Sequence, residues 1–292
     1  MKPLGHELSG AASGAPGNHL LASLTLGFSR DGNATRLTRR GHVGPLLVQK
    51  PLYPEGPECC HAVIIHPPGG VVGGDELKID VRIDDGAHAL LSTPGAAKWY
   101  RSNGKVSRQR LEISVGKEAS VEWLPQETIL FNDADVVLDN HIHLKAGASY
   151  LGCDILCFGR TASGERFVKG RVRQRLNIRV DDKPAFIEHG TLIGGSNMMS
   201  SALGLASHTV CASLTSVGGP INSTLLGELR EVCAPLVSKA EQFGATQMKS
   251  VILVRYLGDS SETARRVMLA AWKVLRPARL GRDDTELRIW NT

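Results

Sequence analysis

The sequence predicts a mainly β fold, with layered or wound sheets of many short strands and about two helices near the C-terminus. Two observations lead to this prediction. Short runs of alternating apolar and polar residues recur at intervals close to ten residues, and Gly, Asp and Pro separate them. Apolar residues at helical spacing occur only toward the C-terminus. No linker divides the 292 residues, so we expect a flexible tail over residues 1–19 and a single domain over residues 20–292.

The strands come first along the chain. In residues 77–83, four apolar side chains alternate with three charged ones, a period of two that gives a strand one buried face. The same reasoning applies to the other short runs. Strands are predicted at residues 20–28, 44–49, 62–65, 77–83 and 88–92, and around 111–115 and 121–123.

The region after the strands contains a weaker helical pattern. Apolar residues between 225 and 240 follow a period near 3.6, which predicts a helix that Pro235 kinks or divides. Residues 243–247 are predicted to form the following loop. The apolar run at 251–257 predicts another strand.

The clearest helix is predicted over residues 261–276. Ser260 or Ser261 can cap its N-terminus, and Glu262 suits the first turn because the helix dipole favours negative charge there. Pro277 then lies just beyond the predicted C-terminal end.

Charge and composition exclude several classes of function. The net charge is +5 and charged residues make up 22% of the chain, which is ordinary for a globular protein. The densest basic segment, residues 169–179, places Arg171, Arg173 and Arg175 on one strand face without interleaved aromatic residues. This pattern favours a solvated face over nucleic-acid binding, and an acidic protein surface is the alternative partner.

The cysteines and the apolar runs indicate where the protein works. The six cysteines form no C-x-x-C pair and no secreted disulfide framework. No segment has the length of a membrane span, and the first residues lack the apolar core of a signal peptide. We therefore expect a reduced, cytoplasmic protein with no membrane partner.

A glycine-rich loop follows the strand at 62–65. His61 and His66 flank that strand, two prolines and two glycine pairs follow, and Asp75 closes the loop. Glycine pairs predict a tight backbone path with positive φ or a close approach. The loop lacks both G-x-x-x-x-G-K-[ST] and G-x-G-x-x-G, so a nucleotide-binding loop is a poor interpretation.

Several long motifs occur in order from about Gly41 to the C-terminus. They are GPLLVQKPLYPE at 44–55, CHAVIIHPPGGVVGGD at 60–75, TPGAAKWYRS at 93–102, EWLPQE at 122–127, FGRTASGERF at 158–167 and the ending at 254–292. As a set they resemble the urease accessory protein family UreD, called UreH in some organisms. The resemblance implies a protein that is not an enzyme. It implies complexes with UreF, with the GTPase UreG and with apo-urease, and a role in loading nickel, with no stably bound cofactor.

A nickel conduit should use single nitrogen, oxygen or sulfur ligands, because a closed site would hold the ion too tightly for transfer. The candidate transient nickel path consists of Cys60, His61, His66, Asp75, Asp154 and Glu165. Each has an ordinary structural alternative, such as a hydrogen-bonded histidine or a turn-capping aspartate. Asp154 lies among apolar residues, where a carboxylate must be paired or wet.

Two further features leave alternatives open. The residue before Asp154 is often Trp in the family, and here it is Cys153, which shares a strand face with Cys157 and fits a small core residue. Asp139, His141 and His143 share one strand face at metal-ligand spacing, although a solvated face is favoured.

A metal-dependent hydrolase is the rival from another functional class. It would use His66, Asp75 and Glu122, since carboxylates and imidazoles can do acid–base work. The chain contains neither G-x-S-x-G nor H-E-x-x-H, which leaves this alternative weak.

Overall fold

The chain winds back and forth between two β-sheets. A computed structural model describes residues 20–218, 223–283 and 285–291, so the predicted tail at 1–19 lies outside the described residues. The strands are β1 (Leu21–Asp31), β2 (Ala34–Val43), β3 (Leu47–Val48), β4 (Cys59–Ile65), β5 (Glu76–Ile83), β6 (His88–Ser92), β7 (Ala97–Trp99), β8 (Ser107–Val115), β9 (Ser120–Leu124), β10 (Thr128–Leu130), β11 (Asp135–Leu144), β12 (Ser149–Phe158), β13 (Arg171–Val180), β14 (Lys183–Ile193), β15 (Val210–Val217), β16 (Gln242–Met248) and β17 (Val251–Gly258). The α-helices in the described residues are α1 (Asn197–Ser200), α2 (Ser223–Cys233) and α3 (Ser261–Leu280).

From β4 to β13 the chain passes repeatedly from one sheet to the other, which produces a solenoid-like winding. The first sheet has the order β14-β13-β11-β8-β5-β1-β2, and the main path of the second is β16-β17-β15-β12-β9-β6-β4-β3. Strands β5, β8, β11 and β13 pair in parallel in one sheet, and β4, β6, β9 and β12 do so in the other. Each coil therefore adds one strand to each sheet. The predicted mainly β fold with wound sheets is confirmed.

An apolar core fills the space between the two sheets. The strand register places Val81, Ile113, Ile142 and Ile178 side by side across the first sheet, and all four are buried. Such ladders bury apolar area at about 25 cal/mol per Å², which is the main force holding the sheets together. The neighbouring ladder contains Asn140 between two leucines, so a polar group interrupts the core there.

A second core lies on the outer face of the second sheet, under α2 and α3. In β12, Tyr150 and Leu156 point between the sheets, whereas Cys153 and Cys157 point toward the helices. The predicted common face of the two cysteines is confirmed, and both are small core residues. The largest helical contribution to this core is Trp272 of α3, which is fully buried.

The predictions before α3 have different outcomes. The predicted division of the 225–240 helix at Pro235 is confirmed, because α2 ends at Cys233 and only one 3₁₀ turn, Ala234–Leu236, follows, since Pro235 has no N–H to donate. The predicted end at residue 240 is too late, and the loop predicted at residues 243–247 is wrong. Residues 243–247 are part of β16 instead of a loop. This edge strand is polar and largely exposed, so its apolar alternation is weak, and its pairing with β17 supplies the order.

Helix α3 begins as predicted and ends later than predicted. The Ser260 hydroxyl accepts a hydrogen bond from the Thr263 amide at 3.0 Å, which confirms the N-cap. The helix continues through Pro277 to Leu280, so the prediction that Pro277 lies beyond the end is wrong. Only the last turn follows this proline, and Gly281 then ends the helix at a φ of 60°, with its amide bonded to the Pro277 carbonyl.

The other predicted strand boundaries differ from those of the structure by a few residues. The strand predicted at 44–49 is reduced to the two residues of β3, and the strand predicted at 62–65 begins earlier, at Cys59. Among the described residues, none of the helices combines the length and the apolar character needed to cross a membrane.

Candidate functional site

The glycine-rich loop takes the tight backbone path that the sequence predicts. Gly74 has a φ of 99°, and a Cβ on Gly70 would lie 2.8 Å from the carbonyl oxygen of Lys98. Asp75 closes the loop by accepting hydrogen bonds from the backbone amides of Val72, at 2.9 Å, and Leu20, at 3.2 Å. The loop is thus fixed against the start of β1, and one of its ends presents His66 to the interior.

A cavity of about 200 Å³ with several polar side chains in its lining lies between the two sheets beside this loop. Most of its lining is apolar, including Trp99 and Trp123. The polar side chains that line it are those of His66, Thr93, Lys98, Gln109, Gln126, Thr128, Asn140 and Asp154. Among the described residues, His66 Nε2 and Asn140 Oδ1 are buried atoms with no hydrogen-bond partner. Buried polar atoms are nearly always bonded, so two such atoms at one cavity indicate space for water or a polar ligand.

Asp154 lines this cavity and also a second, more open cleft of about 400 Å³. The cleft lies at the end of the winding and is lined also by Glu188, Arg255 and Gln174. The Glu188 carboxylate accepts a hydrogen bond from the Arg255 guanidinium. Burial, aided by the negative charge of Glu188, raises the pKa of Asp154 to about 6. The Asp154 carboxylate therefore lies where the inner cavity and the outer cleft meet, and both protonation states are accessible near neutral pH.

His66 provides a nitrogen ligand to the same cavity. Burial lowers its pKa, and the nearby Asp75 carboxylate only partly opposes this effect. The imidazole is therefore neutral at physiological pH, the form that can bind a metal ion.

The other predicted ligands lie elsewhere. The Cys60 thiol faces the core between the sheets, and burial raises its pKa while a hydrogen bond with Tyr53 lowers it. His61 points to the opposite face of the second sheet, where its Nε2 lies 2.5 Å from Glu55 Oε1. Glu165 forms an ion pair with Arg160 at 2.9 Å near the surface. Of the six predicted residues, only His66 and Asp154 line the inner cavity.

Glu122 belongs to a buried ionic cluster between the second sheet and α3. It accepts hydrogen bonds from Trp272 Nε1 at 2.6 Å and from Arg276 Nε at 3.1 Å. The Arg276 Nη2 also contacts both oxygens of Glu55 at 2.7 Å. Burial would raise the pKa of Glu55, but hydrogen bonds from His61 and Arg276 lower it to about 2. Burial raises the pKa of Glu122, and the bonds from Arg276 and Trp272 only partly oppose this effect. Both carboxylates of the cluster are hydrogen-bonded.

The cluster bears on the hydrolase alternative. Glu122 is on the helix-facing side of the second sheet, whereas His66 lines a cavity on the inner side. Asp75 is occupied by backbone amides. The three residues of that alternative are not brought together around a shared space.

The outer face of the first sheet carries the predicted surface features. Arg171 and Arg173 share a face as predicted, and both pair with Asp135, at 2.7 and 3.0 Å, so the basic stripe is partly neutralised. His141 and Asp139 also share that face and lie 3.0 Å apart, while His143 lies 3.2 Å from Glu112. Both histidines thus contact neighbouring carboxylates on a partly exposed face.

Sequence reasoning missed Asn140 and Gln126, which line the inner cavity, and Glu188, which lines the outer cleft. The signal for Asn140 is present, because it occupies an inward position of β11 between Leu138 and Ile142. Glu188 could not be found this way, since β14 is mostly exposed and lacks a clear alternation.

The chain has close relatives among characterised families. The model of the family described as UreD urease accessory protein matches residues 21–291. A urease accessory protein UreD of Janthinobacterium sp. (strain Marseille) is 55% identical over 271 residues, which cover 93% of this chain and 91% of the relative. Those of Nitrosospira multiformis and Dechloromonas aromatica are 47% and 45% identical and cover 94% and 93% of this chain, and 98% and 94% of their own lengths. This chain belongs to the UreD urease accessory protein family.

Proposed function

We propose that this protein is a cytoplasmic scaffold for urease maturation that binds apo-urease, UreF and UreG and passes nickel to the urease active site. It has no catalytic step of its own. The ion moves through the space between the two sheets, from the inner cavity to the outer cleft. The observation that carries the proposal is the position of Asp154, whose carboxylate lines both spaces.

The ligands along this route suit transient binding. His66 supplies nitrogen, and Asn140 and Asp154 supply oxygen, donors that Ni²⁺ accepts. They come from separate strands and loops, so an ion meets them one or two at a time. Each additional ~1.4 kcal/mol of affinity slows release about tenfold when it appears in the off-rate. A sparse lining therefore favours transfer over storage.

The raised pKa of Asp154 supports the same conclusion. An approaching cation favours the ionised carboxylate, so the group becomes charged when the ion arrives. Without the ion, the carboxyl group is partly protonated near neutral pH and does not hold other cations firmly. Such a group can bind nickel with an affinity low enough to release it again.

The docking part of the proposal assigns the partners to surfaces that none of the helices in the described residues covers. The outer face of the first sheet carries rows of both charge signs, including Arg110, Glu112 and Asp139. Charge complementarity sets register and orientation between partners. We assign urease and UreF to such broad β surfaces, with nickel passing between the partners through the interior.

The test is co-expression of apo-urease, UreF and UreG with this chain, with its Asp154→Asn variant, or without it. We expect urease activity and nickel content to require the chain. Asp154→Asn should co-purify with the partners at wild-type levels and slow nickel loading by about tenfold or more, because one anionic ligand is lost. Nickel content is measured by atomic absorption on purified urease.

The matched control is Asp181→Asn, an exposed aspartate in the turn between β13 and β14 whose Oδ1 accepts a hydrogen bond from the Ala146 amide at 3.2 Å. It should load nickel at the wild-type rate. Wild-type loading by the Asp154 variant in a normal complex would reject the internal route and leave a scaffold. Full activation without the chain would reject the maturation role itself.

A further inference from the structure

A second group of metal-type ligands lies on the opposite face of the second sheet from the inner cavity. One ligand atom each from Glu55, Cys59 and His61 lies within 4.8 Å of the others, the sole group of three or more His, Cys, Asp or Glu ligands that the described part of the chain offers at such distances. Cys59 and His61 are two residues apart in β4 and therefore share a face. Glu55 reaches them from the preceding loop.

The charges around this group are unbalanced. Glu122 is buried and Glu55 is half-buried, and the two carboxylates share a single guanidinium, that of Arg276. The next arginine, Arg282, pairs with its own carboxylate, Glu58, at 3.4 Å. Buried charges are costly unless they are neutralised. Two carboxylates against one guanidinium leave room for additional positive charge at this point.

The group also has unused ligand capacity and an access route. Cys59 is 1% exposed, and within residues 20–218, 223–283 and 285–291 its Sγ makes no hydrogen bond. An open cleft of about 430 Å³ is lined by Glu55, Glu58, His88 and Asp283, so solvent reaches the carboxylate side of the group. A metal ion could enter there and keep a water molecule as its fourth ligand.

We propose that Glu55, Cys59 and His61 bind one divalent transition-metal ion of the Zn²⁺ type, with solvent as the fourth ligand. The donor set of one oxygen, one sulfur and one nitrogen suits Zn²⁺, which accepts all three in tetrahedral sites. On binding, the Cys59 thiol releases its proton to solvent and ligates as thiolate. The dication and Arg276 then balance the thiolate and the two carboxylates, Glu55 and Glu122, so the buried cluster becomes neutral.

Binding requires one local movement. The hydrogen bond between Glu55 Oε1 and His61 Nε2 is 2.5 Å long, whereas two ligands about 2.0–2.2 Å from a tetrahedral metal lie more than about 3 Å apart. Glu55 can withdraw from His61 while its other oxygen remains on Arg276. The site is therefore separate from the nickel route in both position and chemistry, and it would fix the loop before β4 to α3.

The experiment uses the purified full chain and competition with a chromophoric chelator for Zn²⁺. Cys59→Ser should weaken Zn²⁺ binding by more than about a hundredfold, since the loss of an outer-shell partner alone costs about 10–100-fold. Cys60→Ser is the matched control, because the neighbouring buried thiol points between the sheets. It should leave the affinity unchanged. Circular dichroism verifies that both variants are folded.

A second measurement keeps the proposal testable if Cys59→Ser does not fold. X-ray absorption at the zinc edge of the wild-type chain should show one sulfur among nitrogen and oxygen ligands. A zinc shell without sulfur, equal losses in the Cys59 and Cys60 variants, or no Zn²⁺ binding at micromolar concentration would each overturn the site. None of these measurements involves urease, so they fail or succeed independently of the maturation role.

Discussion

Buried polar groups on the two sides of the second sheet differ in their hydrogen bonding. On the inner side, at the cavity between the sheets, His66 Nε2 and Asn140 Oδ1, the latter from β11 of the first sheet, lie buried without a hydrogen-bond partner among the described residues. On the outer face, the carboxylate of Glu122 accepts hydrogen bonds from both Trp272 and Arg276. A fully bonded buried network makes a structure rigid, whereas an incompletely bonded one reduces stability. The contrast indicates that the outer face stabilises the fold and that the inner face keeps a polar space open.

The two faces are linked because each strand places alternate side chains on both of them. In β12, Asp154 points inward to the cavity, and its neighbours Cys153 and Ile155 pack against the helices. A position on the inner face can therefore carry a destabilising polar group because the outer face of the same strand is well packed. Substitutions on the two faces should have effects of opposite sign on stability.

The largest effect is expected from Arg276→Met. This side chain is fully buried, and its removal leaves Glu122 and Glu55 without their shared cation. We expect the free energy of unfolding at pH 7.5 to fall by about 3–5 kcal/mol, the usual cost of breaking a buried ion pair from one side. Urea denaturation followed by circular dichroism measures the change.

The control for Arg276 is Arg82→Met, which breaks an exposed ion pair with Asp84 at 2.8 Å. Surface pairs contribute about 0–1 kcal/mol, so this variant should resemble the wild type. Equal losses in the two variants would mean that the outer face has no special role in stability.

A change of the opposite sign is expected from Asp154→Asn. The folded-state pKa of about 6 lies above the ordinary value of 3.8, so ionisation costs stability as the pH rises from about 4 to about 6. Asparagine removes this cost. We expect a gain of about 1–2 kcal/mol at pH 7.5, because one pKa unit corresponds to about 1.4 kcal/mol and solvent in the cleft screens part of it. The gain should vanish below about pH 4.

Asp84→Asn is the control for a carboxylate whose pKa shift has the opposite sign. Hydrogen bonds from Ser29 and Arg82 lower the pKa of Asp84, so its carboxylate stabilises the fold above the unfolded-state pKa. That contribution disappears as the pH falls through the folded-state pKa. In urea midpoints measured from pH 2 to pH 8, the Asp84→Asn variant should be less stable than the wild type from about pH 4 upward and lose this deficit below it, whereas the gain of Asp154→Asn should grow between about pH 4 and pH 6. Parallel curves would contradict the assigned role of burial at Asp154.

Local sequence patterns predict much of the fold. They do not predict which distant residues contact each other on the faces of the second sheet. The period of two in residues 77–83 correctly predicts β5, and the glycine pairs correctly predict a close backbone approach at Gly70. The role of Glu122 could not be predicted, because its partners Trp272 and Arg276 lie 150 and 154 residues away. Local spacing does not reveal which distant helix covers a strand.

The candidate site likewise has one part that the sequence predicts and another that depends on the fold. Asp154 is recognisable because a carboxylate among apolar residues needs water or a partner. Which of the six predicted ligands share a space depends on the winding of the coils, and only His66 and Asp154 line the inner cavity. His61 and Cys60 are adjacent in sequence and point to opposite faces, which follows from the strand that contains them.

The smallest effect is expected from Ser260→Ala at the N-terminus of α3. It removes the hydrogen bond that the Ser260 hydroxyl accepts from the Thr263 amide, with an expected loss of about 1 kcal/mol in urea denaturation. Ser261→Ala is the control, because the neighbouring hydroxyl takes no part in this cap. Ser260 and Arg276 are about 24 Å apart along the helix at 1.5 Å per residue. Their losses should therefore add within about 0.5 kcal/mol in the double variant, and a larger deviation would show that α3 docks onto the outer face as one cooperative unit.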